Sequence, residues 1–179
     1  MRLVGLPAGR RLSAVLSLVV VAGLLSGCTN LQFRIDHYLK FVAPASRAKL
    51  SLPVTLRWQV KDFRVAAPGS EPPSAHAGYF AIFVDRPPIR PGQTLAAVAG
   101  NDPSCVASAG CPNAQYLADR QVYRTTQLSY TLRQVFALSG NSDNWQLHDV
   151  TIVLLDTSGH RIGEHAYYRD FQLKRSTLP

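Results

Sequence analysis

Three features of the sequence predict a mainly β fold. Apolar residues recur at every second position in several short segments, one short run is continuously aromatic and β-branched, and no long amphipathic helix intervenes. Together they predict an antiparallel β-sandwich with short helical turns in its loops. Of the 179 residues the first 27 read as a removable leader, and the remaining 152 suffice for one domain with a real hydrophobic core and are too few for two well-packed ones.

The first 27 residues read as a removable leader. Arg10 and Arg11 end a charged region, and residues 12–25 (LSAVLSLVVVAGLL) form an apolar stretch. A membrane-spanning helix needs about 20 apolar residues, and this run ends sooner, before Cys-Thr-Asn. The tetrapeptide Leu25-Ser26-Gly27-Cys28 resembles the lipobox of bacterial lipoproteins. That resemblance implies a diacylglycerol on the Cys28 thiol, cleavage just before it, and attachment to a membrane by acyl chains such as palmitate. Two or more chains anchor stably where one binds only marginally. Thr29 is not the aspartate that resembles an inner-membrane retention signal, so in a host with two membranes the outer one is expected. An ordinary export signal is the alternative, since Ser26-Gly27 almost makes a small-x-small site.

Cleavage would remove three arginines and no acidic residue, leaving sixteen basic against eleven acidic side chains, a net charge of +5. The basic residues are spread along the chain without the Lys/Arg stripe of a nucleic-acid binder, so no nucleic-acid partner is expected. With Cys28 acylated, Cys105 and Cys111 remain as a pair, and an exported compartment makes a disulfide the default. The spacing is neither CxxC nor that of a zinc site.

Along the mature chain, residues 28–48 read as an acylated tether and residues 49–179 as the ectodomain. Val54, Leu56, Trp58 and Val60 alternate with Thr55, Arg57, Gln59 and Lys61, which gives a strand with one buried face. Residues 79–84 (YFAIFV) read as a strand covered on both sides. Val122-Tyr123 adds a short strand, and Leu128, Tyr130 and Leu132 alternate in another. Residues 149–155 form a β-branched strand, Asp156-Thr157-Ser158-Gly159 a hairpin turn, and residues 161–173 the returning strand. Tyr167, Phe171 and Leu173 fall on one face of that strand, Tyr168, Asp170 and Gln172 on the other. Proline-dense residues 66–74 and 86–93 are loops. Residues 94–99 and 113–120 form short helices, the second capped by Asn113. This spacing of strands, with Trp58 on one of them, fits an immunoglobulin-like sandwich, although a local Cys105–Cys111 bridge cannot join its two sheets.

Histidine is the residue type most often used as a metal ligand. His148, His160 and His165 fall on or near the last hairpin and are weak metal-ligand candidates, but no HxH or HExxH occurs. The only methionine is Met1, which excludes methionine-rich copper carriage. Ser158-Gly159-His160 sits in a tight turn, no GxSxG or SxxK motif is present, and no glycine-rich phosphate loop occurs. No catalytic residue and no cofactor is therefore expected. Arg86 and Arg90 on a rigid proline loop, and Tyr168 on an outward strand face, form a candidate binding surface. The expected function is a non-catalytic binding domain at the cell envelope, with an envelope protein or other envelope component as partner. The alternatives are a metal-binding or metal-dependent hydrolytic domain using the last hairpin, and a purely structural envelope component.

Overall fold

The computed structural model describes residues 38–139 and 143–177, so the leader, Cys28 and the start of the tether lie outside the described residues. The predicted β-sandwich is the architecture found. One sheet holds three antiparallel strands in the order β1 (Leu39–Ala43), β3 (Val54–Val60), β7 (Ser129–Leu132). The other runs β2 (Ala48–Leu50), β9 (Tyr167–Lys174), β8 (Trp145–Asp156), β5 (Ala77–Val84), β4 (Arg64–Val65), and β6 (Val122–Thr125) also pairs with β5. The strands are not all antiparallel: β2 joins β9, and β4 joins β5, as short parallel pairs.

Residues 39–43, read from sequence as part of the tether, are instead a strand. Leu39 and Phe41 are buried and pair with Val60 and Trp58. Their alternation spans only one buried pair before a bulge, too short to register as a period, so the domain begins ahead of residue 49. β3 follows its sequence pattern closely, with Val54, Leu56 and Trp58 inward.

All eight residues of β5 are buried. Phe80, Ile82 and Val84 enter the space between the sheets with Leu56, Trp58, Leu132, Ile152 and Phe171. Tyr79, Ala81 and Phe83 point the other way into a second core with Ile89, Leu95, Leu117, Val122 and Val153. This second core is roofed by residues 86–121, which carry a 3₁₀ turn (Leu95–Val98) and two short helices, α1 (Pro103–Val106) and α2 (Ala114–Ala118). Asn113 caps α2 as expected, its side chain accepting from the Tyr116 N–H at 2.8 Å. Cys105 and Cys111 are bonded, with Cα atoms 5.2 Å apart, and fix the loop within this roof. Among the described residues, no helix is long and apolar enough to cross a membrane.

β8 and β9 form the expected hairpin. Asp156 Oδ1 accepts from the N–H groups of Ser158 and His160 and from the Ser158 hydroxyl, and Gly159 supplies φ +91°. The returning chain pairs at Arg161 with Leu155, loops out, and resumes at Tyr167 opposite Ile152. That excursion takes up residues which the sequence assigned to one unbroken strand.

Candidate functional site

The structure separates the three histidines. His148 lies near the start of β8, and roughly 23 Å of strand, at about 3.3 Å per residue, separates it from Leu155, where Arg161 pairs. His160 lies at the far turn, and His165 meets Tyr167 edge to face with ring centres 4.5 Å apart. Alternation and the turn send these side chains to different places, and among the described residues no three metal-ligating side chains converge. Ser158 Oγ approaches His160 Nδ1 at 2.9 Å, but the hydroxyl is also 2.7 Å from Asp156 Oδ1, within a turn that those contacts build.

His148 has a different surrounding from its sequence neighbours. It is fully buried, with Nδ1 2.7 Å from Asp85 Oδ2, while Asp85 Oδ1 accepts from the Asp149 N–H at 2.9 Å. Asp85 directly follows β5 and adopts the left-handed region, φ +52°, which a short polar side chain tolerates. The pair ties the ends of two central strands together. Burial, and then the neighbouring Asp85 charge, raise the pKa of Asp149 above the ordinary carboxylate value.

Arg86, Arg90 and Tyr168 each have a different surrounding. Arg86 donates to the Arg120 carbonyl at 3.0 Å beside α2. Arg90 occupies a turn whose N–H donates to Gln93 Oε1, and that turn leans on Arg161 through the Gly92 N–H. Tyr168 is 57% exposed on β9, on the outer face beside Thr151.

The concave feature lies elsewhere. After β6 the chain crosses from the large sheet to the small one and returns as β7, so Tyr123 and Tyr130 face each other with ring centres 5.1 Å apart. Beside them opens a groove of about 480 Å³. One wall is Gln115, Ala118 and Asp119 from one face of α2. The other is Tyr130, Thr131, Leu132, Arg133 and Gln134 in unbroken succession. The exposed Phe136 closes one end, where its N–H donates to Gln121 Oε1. The groove continues past the Tyr123–Tyr130 pair to Arg124, and past Phe136 to Arg86. Burial raises the phenol pKa values of both tyrosines, most directly by desolvation, so both stay neutral hydrogen-bonding groups at neutral pH.

Sequence reasoning placed Tyr123 and Tyr130 on strands but left the groove unread. The only sequence signal was a pair of short strands with a polar link, and nothing in it says that they stack edge over edge. Arg86 is the one expected surface residue that borders the groove. No protein-family model, no curated protein and no solved structure matches the chain.

Proposed function

We propose that the chain is a lipid-anchored envelope protein whose β-sandwich binds a partner, without catalysis, in the groove between β7 and α2. The observation that supports the reading is the groove itself. It combines an aromatic floor, half-buried phenols and flanking polar side chains, the composition of a recognition site rather than of a packing defect. The lipobox resemblance at Cys28 supplies the anchor, and the envelope supplies the partner.

Two measurements test this. Cys28→Ala is expected to block acylation and leave an unprocessed precursor in whole cells; normal processing and release would instead mark an ordinary export signal. Cross-linking in intact envelopes from a photoreactive residue at Thr131 is expected to capture a discrete partner that Tyr130→Ala loses. Capture unaffected by Tyr130→Ala, in a variant with an unchanged melting temperature, would move the partner site elsewhere.

A further inference from the structure

Successive side chains of a strand point to opposite faces, so a wall made by side chains alone would use every second residue. Tyr130, Thr131 and Leu132, three successive residues of β7, line the groove without a gap, and Arg133 and Gln134 continue the wall beyond the strand. The groove is therefore bounded by the edge of β7, that is, by its backbone. β7 is the terminal strand of its sheet and pairs only with β3. Among the described residues, no hydrogen bond joins the other edge of Ser129–Leu132 to another strand. A row of N–H and C=O groups thus faces a groove with a tyrosine floor. Exposed edges are usually blunted or covered, since they template pairing with another chain.

From this edge and its surroundings, and resting on the binding-domain reading above, we infer that the groove takes an extended peptide segment of another protein, added as a fourth strand beside β7, with acidic residues flanking its apolar ones. Main-chain hydrogen bonds to β7 hold the peptide, and alternate side chains enter the space over Tyr123 and Tyr130. Charge fixes the flanks. Arg124 and Arg133 are both exposed, border the groove, and form no salt bridge among the described residues. The one carboxylate in the main groove, Asp119, is held by Gln115 Nε2 at 2.7 Å. The same two guanidiniums favour an acidic peptide over a second copy of this chain, whose β7 would bring its own Arg133 into a groove already bordered by two arginines.

The test uses the full acylated chain in detergent micelles and a library of capped peptides of about eight residues, a length set by typical strand dimensions. Alternate positions are drawn from valine, isoleucine and tyrosine, and the intervening ones from glutamate, lysine and serine. Bound peptides are expected to be enriched in glutamate, and Arg133→Glu to weaken the best binder roughly two- to fivefold, the scale of an exposed ion pair. The best binder is then resynthesised with alternate amides N-methylated, in each of the two phases. The phase that faces β7 is expected to abolish binding, and the other to leave it unchanged. Equal binding by both phases, no selected binder, or self-association of the chain that depends on β7 would overturn the strand-addition proposal. Envelope capture at Thr131 that Tyr130→Ala still abolishes would then leave the groove reading standing by itself.

Discussion

At Asp102 four hydrogen bonds converge on one carboxylate. Oδ1 accepts from the Ser104 N–H and hydroxyl, and Oδ2 from the Tyr116 hydroxyl at 2.7 Å and Arg120 Nη2 at 2.9 Å. The Arg120 guanidinium also lies 3.5 Å over the Tyr116 ring. These contacts pin the disulfide loop to α2. The Ser104 and Tyr116 hydrogen bonds, aided by the Arg120 charge, hold the Asp102 pKa at about 2. A carboxyl depressed by folding stabilises the fold above its unfolded value, near 3.9, and loses that contribution as pH falls toward 2. Melting temperature is therefore expected to drop between pH 5 and pH 2.5 by more in the parent chain than in Asp102→Asn. The buried pair makes a second expectation at this scale. Asp85→Ala would strand the His148 ring without its partner in a fully buried position. It should cost roughly 2–4 kcal/mol in urea unfolding, and a loss under about 0.5 kcal/mol would show that the pair adds nothing.

The elements explain why β5 reads as it does. A strand apolar at every position is uninformative about which face packs where, and here both do, against β3 on one side and the roof of the 3₁₀ turn and α2 on the other. Its first turn of pairing depends on a missing side chain. At Gly78 a Cβ would sit 1.8 Å from the Leu155 carbonyl oxygen, on the backbone of the neighbouring strand. Neither strand can move without breaking the β5–β8 ladder, so Gly78→Ala is expected to cost about 3 kcal/mol or more, measured as a lower urea midpoint. The bridge between Cys105 and Cys111 works on a smaller scale. Closing so short a loop is worth about 2–2.5 kcal/mol in the chain-entropy account, which fits its place as a local staple in the roof rather than a link between sheets.

For the molecule as a whole, the small sheet decides where the domain starts. β1 covers one edge of β3 and buries Leu39 and Phe41 against Val60 and Trp58, while Arg169 reaches over the Phe41 ring. A chain beginning at residue 49 would leave that side of the core open. It is expected to unfold or aggregate in limited proteolysis, whereas one beginning at residue 35 resists; equal resistance would show that β1 is dispensable. The strands β3, β5, β8 and β9, the hairpin turn, the Asn113 cap and the cysteine pair were legible in the sequence, because each rests on local periodicity, turn chemistry or nearness along the chain. The candidate site was not. Tyr123 and Tyr130 were visible only as strand residues, and Arg86, Arg90 and Tyr168 were singled out by loop rigidity and strand face, neither of which points to a groove. Sequence alone determined the β character, the alternating faces and the disulfide, since those depend on neighbours a few residues away. Only the tertiary structure decided that β1 belongs to the sandwich, that the histidines stay apart, and that β7 turns an unpaired edge into a groove. Those depend on which strands meet across the sheets, and local pattern carries no record of that.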